Sequence, residues 1–156
     1  MAVGWIGPSV TPLTNLNSGY RMYEVDTGDF NIYDAHTYYS DVSSFASLDS
    51  SNSHGPVYMH EYSTRDTYAI GWPTTSPLNA TYWHLVTEAM LADPKHKLVE
   101  TFNTLQGKSS VKSPNCTNDA CALAKVCYMR SGSVALGRQC PQGFASVQNK
   151  FTGVNF

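Results

Sequence analysis

Aromatic and branched residues crowd two short stretches, Tyr20–Asp26 (YRMYEVD) and Asn31–Tyr39 (NIYDAHTYY), with Thr27-Gly28-Asp29 between them. That composition on either side of a glycine turn predicts a β-hairpin, so the first third of the chain reads as a small antiparallel sheet. Upstream, Ala2–Ile6 is short and apolar and reads as a strand, and Gly7, Pro8 and Pro12 open a loop that runs to Gly19. Ser40–Pro56 is dominated by Ser, Asp and Asn and reads as a connector. Beyond it the apolar spacing becomes helical. Asn79 is placed to cap a segment in which Tyr82, Leu85, Val86, Ala89 and Met90 form one face. Pro94 stands where the next helix would start, Leu98, Phe102 and Leu105 carry its face, and Gly107 ends it. Val57–Tyr68 also reads as helical. In Asp119–Met129 the residues Ala120, Leu123, Ala124, Cys127 and Tyr128 recur at helical spacing, with Asn118 as N-cap and Gly132 as stop. The expected class is therefore α+β: short strands first, helices after.

The last predicted helix carries two of the chain's four cysteines, which fall as C-x4-C-x5-C-x12-C at Cys116, Cys121, Cys127 and Cys140. An even count without close C-x2-C pairs favours two disulfides over a zinc site. Cys121 and Cys127 lie about 9 Å apart along one helix, beyond the reach of a disulfide. This favours Cys116 with Cys121 and Cys127 with Cys140, with a crossed pairing left open. Sequons at Asn79-Ala80-Thr81 and Asn115-Cys116-Thr117 join the cysteines in pointing outside the cytosol, to a secreted or vacuolar-lysosomal setting. The N-terminal MAVGWIGPSV is neither a signal peptide nor a membrane span, because it lacks a charged start and Gly4, Gly7 and Pro8 break its apolar run. The chain is therefore expected to be the C-terminal piece of a larger exported protein.

With 156 residues, 42% of them hydrophobic, the chain can bury a real core. A formal charge of -2 with only 14% charged residues gives no basic surface for a nucleic-acid polymer and no polybasic stretch for an anionic membrane. Candidate chemistry is sparse. Asp34-Ala35-His36 has the D-x-H spacing of a binuclear metal site, but the chain has no GDxxD, GNHE or HxH to complete one. A solvent-facing Asp and His on an edge strand is the better account. His54, His60, His84 and His96 stand singly, and phosphate-loop, dinucleotide and serine-nucleophile motifs are absent.

Three stretches, GPSVTPLTNLNSGYRMYEVD, SPLNATYWHLVTEAM and the cysteine pattern from Cys116 to Cys140, resemble in that order the C-terminal part of the acid sphingomyelinase family. Fungal members look closest, through GKSSVKSPNC and CPQGFASVQNKF. The resemblance implies that residues 1–40 are the last strands of a calcineurin-like metallophosphoesterase sandwich, 41–56 a connector, and 57–156 a mostly helical domain with two disulfides. It also implies the same cysteine pairs that the helix spacing favours. In the family, two Zn2+ ions polarise the phosphodiester and activate a water, and a histidine protonates the leaving alcohol. By resemblance those ligands precede this chain, which should therefore hold no catalytic or metal-binding residue and be inactive alone. Its contribution would be structural support for the upstream catalytic domain and a loop at the substrate rim, Pro8, Thr11, Leu13, Thr14 and Asn15 among its residues, near a phospholipid or other phosphodiester. The alternative function is a non-enzymatic, disulfide-stabilised glycoprotein module that binds lipid or a partner protein.

Overall fold

The computed structural model describes residues 2–12, 16–50, 55–111 and 113–144. Strands β1 (Ser18–Val25), β2 (Ile32–Ser40) and β3 (Met59–Ser63) form an antiparallel sheet in the order β1-β2-β3. Five helices follow: α1 (Thr64–Thr67), α2 (Ala80–Ala92), α3 (Lys97–Gln106), α4 (Asp119–Arg130) and α5 (Val134–Gly137). The α+β class and the first hairpin are as the sequence predicts. The turn closes where Asp26 N–H donates to the Asn31 carbonyl at 3.0 Å and Phe30 N–H to that of Asp26 at 2.9 Å.

Two element assignments are corrected. Val57–Tyr68 is not one helix: Met59–Ser63 is a strand, registered so that His36 faces Ser63 and Tyr38 faces His60. Glu61 has no partner in that register, so a bulge falls within the strand and Tyr62 pairs with Thr37 while His60 pairs with Tyr38. Only from Thr64 does the chain turn helical, where Ser63 Oγ caps Asp66 N–H. Ala2–Ile6 has no strand pairing; Trp5 instead wedges its ring edge-on between Tyr23 of β1 and Trp83 of α2, with centroids 5.7 and 5.6 Å away. The Ser40–Pro56 connector contains a 3-10 helix over Val42–Ser50, started by Asp41, whose carboxylate accepts from Ser43 N–H at 2.9 Å.

The core lies between the helices. Tyr82, Val86 and Met90 of α2 are fully buried against Tyr68, Leu78, Val99 of α3 and Ala122 and Val126 of α4. Asn79 caps α2 as expected, its Oδ1 accepting from Thr81 and Tyr82 N–H. Helix α3 starts three residues beyond Pro94, with His96 as its N-cap and Gly107 as its C-cap.

Helix α4 spans nearly the predicted residues but is turned about its axis. Cys121, Ala122, Ala124, Lys125 and Val126 are buried, whereas Leu123 and Tyr128 are 52% and 40% exposed. The cause is covalent. Cys116–Cys121 holds Cys121 on the core side, and Cys127–Cys140 folds the following segment back along the helix, where the short α5 forms. Among the described residues there is no free cysteine, and no helix is long and apolar enough to cross a membrane.

Candidate functional site

The loop entering β1 is closed at its base. Gly19 N–H donates to the Ser9 carbonyl at 3.1 Å, and Ser18 Oγ donates to the Val10 carbonyl at 2.6 Å while also meeting Tyr58 Oη at 2.7 Å. Asn17, buried, fixes the same base to two distant segments. Its Nδ2 donates to the Lys108 carbonyl at 2.9 Å, and its Oδ1 accepts from Val42 N–H at 3.1 Å. Of the predicted rim residues, Thr11 is exposed and Pro8 is half-buried beside this closure, and Leu13, Thr14 and Asn15 lie outside the described residues.

Behind the closure the chain makes a strained bend. Lys108 and Ser109 both have positive φ, 53° and 52°, uncommon for residues with a side chain. Asn17 holds the bend from one side and Glu61 of β3 from the other, accepting from Ser109 Oγ at 2.7 Å. The Lys108 stem crosses Gly19 so closely that a Cβ there would lie 2.3 Å from Lys108 Cδ and 2.8 Å from the Tyr38 carbonyl oxygen. The Lys108 stem is buried and the Tyr38 carbonyl belongs to the paired β2 backbone, so neither gives way freely. Gly19→Ala is therefore expected to cost about 1–3 kcal/mol by overpacking, measured by urea unfolding.

Burial raises the Glu61 carboxyl above its ordinary value, against the hydrogen bond from Ser109 and the charges of Lys108 and Arg21. Burial likewise lowers the Lys108 ammonium. The acid is favoured in its protonated form by folding. Its contribution is complete below the ordinary carboxylate range and is lost as pH rises through the raised value. Glu61→Gln removes that dependence, so its unfolding free energy should gain on the parent chain as pH rises through and above the ordinary carboxylate range. A series of urea titrations across that range checks it; a constant difference between the two proteins would refute it.

The Asp34-x-His36 pair is not where an edge strand would put it. Because β3 pairs with β2, both residues sit on the central strand, and Asp34 is only 7% exposed. Asp34 is occupied as an acceptor. Its Oδ2 takes the Ser63 hydroxyl at 2.5 Å and its Oδ1 takes the N–H groups of Ala35 at 2.7 Å and Arg65 at 3.0 Å, pinning the start of α1 to the sheet. His36 meets Glu24 through Nε2 at 3.0 Å and His60 through Nδ1 at 3.3 Å. Among the described residues, no three His, Cys, Asp or Glu side chains converge on one ion. With Asp34 engaged in this way, these residues do not fit a two-zinc catalytic centre.

Of the remaining histidines, His84 is exposed on α2 and His96 lies 3.4 Å from Asp119, while His54 is outside the described residues. Asn79 and Asn115, the sequon asparagines, are both exposed, and the α2 cap uses only the Asn79 side-chain oxygen. The residues that sequence reasoning passes over are Asn17, Gly19, Glu61 and Lys108. They become neighbours only through strand pairing and the docking of the α3 C-terminus, which no local spacing announces.

No protein-family profile matches the chain. Along most of its length it is similar to several curated proteins. It is 30% identical over 142 residues to sphingomyelin phosphodiesterase 1 of Caenorhabditis elegans, covering 90% of this chain and 22% of the relative. It is 33% identical over 148 residues to sphingomyelin phosphodiesterase of Homo sapiens, covering 88% and 21%. It is 25% identical over 135 residues to sphingomyelin phosphodiesterase B of Dictyostelium discoideum, covering 85% and 19%. The chain thus spans about a fifth of the length of the curated relatives it matches.

Proposed function

We propose that this chain, which belongs to an acid sphingomyelinase-like family by its likeness to those phosphodiesterases, is the C-terminal region of a secreted, zinc-dependent phosphodiesterase. The whole enzyme hydrolyses sphingomyelin or a related phosphodiester to a phosphorylated headgroup and an alcohol such as ceramide. The reading rests on one observation: likeness that runs along about nine-tenths of this chain but covers only about a fifth of each relative. The zinc ions, where bound in the upstream domain, supply the polarisation of the phosphoryl oxygens and the nucleophilic water.

What these residues contribute is placement. The strands β1 to β3 complete the metallophosphoesterase sandwich, and the loop pinched between Ser9–Val10 and Ser18–Gly19 is presented at the substrate rim. Asn17, Gly19 and Lys108 tie the base of that loop to the bend after α3. Glycans on Asn79 and Asn115 and the two disulfides suit an exported or vacuolar-lysosomal protein.

The purified chain, supplied with zinc and a chromogenic phosphodiester, is accordingly expected to give no zinc-dependent turnover. Turnover by the chain alone would overturn the assignment of catalysis to the upstream domain.

A further inference from the structure

The geometry points to a divalent transition-metal site between His36 and His60, on the face of the sheet carrying Glu24. It goes beyond the proposed function, since it gives this sheet an ion of its own, apart from the zinc ions assigned to the upstream domain. Two imidazoles that share one tetrahedral ion, each nitrogen at about 2.0–2.1 Å, stand about 3.3 Å apart. His36 Nδ1 and His60 Nε2 are 3.3 Å apart. The spacing is long for a hydrogen bond between ring nitrogens and fits a shared ion without movement of either strand.

The outer side of His36 is arranged as a metal-binding histidine requires. A ligating imidazole ordinarily gives its second N–H to a carboxylate, which fixes the tautomer and makes the ligating nitrogen more basic. Glu24 Oε1 lies 3.0 Å from His36 Nε2 and Asp34 Oδ2 lies 3.6 Å from it. A carboxylate accepts and does not donate, so the Nε2 proton stays on the ring and the Nδ1 lone pair faces His60. Tyr38, whose ring centroid is 5.2 Å from that of His60, backs the second imidazole. His60 is exposed, which leaves the remaining coordination positions to water or an anion.

Binding replaces the proton on His60 Nε2 by the ion, and the released proton passes to solvent or to the ring's Nδ1. Zn2+, Ni2+ and Cu2+ have the preference for imidazole nitrogen that the site demands, whereas Mg2+ and Ca2+ prefer oxygen and should not compete. The ion would tie β2 to β3 through His36 and His60, with β1 supporting it through Glu24.

The test is calorimetric titration of the chelator-stripped chain with zinc chloride near neutral pH, with magnesium chloride as the comparison cation. One saturable zinc site per chain is expected, weakened at least ~10-fold by His36→Gln and by His60→Gln, and ~10-fold by Glu24→Gln. His84→Gln, which changes an exposed histidine far along the chain on α2, should leave it unchanged. Zinc should also raise the melting temperature of the parent chain and not that of His60→Gln. His60 is exposed, so that variant keeps its fold, and circular dichroism verifies it. Absence of saturable binding, or binding that survives His60→Gln, would overturn the site.

Discussion

Tyr82→Ala is expected to lower stability by about 3–5 kcal/mol, the cost of deleting a buried aromatic ring and leaving a cavity. The ring is fully buried in the first turn of α2, edge-on to Trp72 at 5.9 Å and to Trp83 at 5.4 Å. Its hydroxyl donates toward two backbone carbonyls, Thr64 at 3.3 Å and Tyr68 at 3.2 Å, so one side chain joins α2 to the segment leaving the sheet. Burial also pushes its phenol well above the ordinary value, which keeps the donor proton in place across the whole working pH range. A domain of this size has about 5–15 kcal/mol to lose, so the alanine variant should be at or beyond the edge of folding. Tyr82→Phe separates the two contributions. It keeps the ring, loses the hydroxyl, and should cost only about 1 kcal/mol. Urea unfolding of both variants measures the difference; equal losses would mean that the hydroxyl, not the packing, dominates.

Asp34→Ala is expected to cost about 3 kcal/mol, because it leaves a hydroxyl and two backbone N–H groups without their charged acceptor. These are Ser63 Oγ, Ala35 N–H and Arg65 N–H. Ser63 is also the α1 N-cap, so the loss reaches the helix that leads into the core. Asp34→Asn keeps one acceptor oxygen and should recover part of the loss. The result bears on function as well as on stability. A residue engaged in this way is a hinge pin of the sheet rather than a catalytic metal ligand, so the alanine variant should lose stability whether or not zinc is present.

Much of the helical half was legible in the sequence because its determinants are local. Asn79 and Asn118 are strong N-caps, each with its oxygen on a first-turn N–H, and the Tyr82, Val86, Met90 spacing marks the buried stripe of α2. The rise of a helix ruled out a Cys121–Cys127 bridge and left the observed pairing beside a crossed one. Other features depend on contacts distant in sequence. The rotation of α4 is set by where Cys116 and Cys140 sit, and its apolar spacing alone pointed Leu123 and Tyr128 inward.

The third strand was hidden by its neighbour. The bulge at Glu61 breaks the alternation of faces within its five residues, and Thr64-Arg65-Asp66 continue directly into a helical turn, so the two merge into one ambiguous run. Missing β3 made β2 an edge, which in turn made Asp34 and His36 look exposed. The same omission separated His36 from His60 and Glu61 from Lys108, pairs whose members are brought together only across the sheet and the bend after α3. The closure of the loop before β1 was likewise unreadable. It rests on Gly19, whose missing side chain makes room for a lysine from far along the chain.

The central claim is that this chain works as part of a much longer enzyme, and the size of the native polypeptide tests it most directly. An antibody raised to Ser113–Cys140 should detect, after deglycosylation of material from the source, a band several-fold heavier than the 17.1 kDa of this sequence. That result would assign function to the whole protein, with this chain as one of its parts. A band near 17.1 kDa would contradict the account and leave a free-standing disulfide-bonded module in its place.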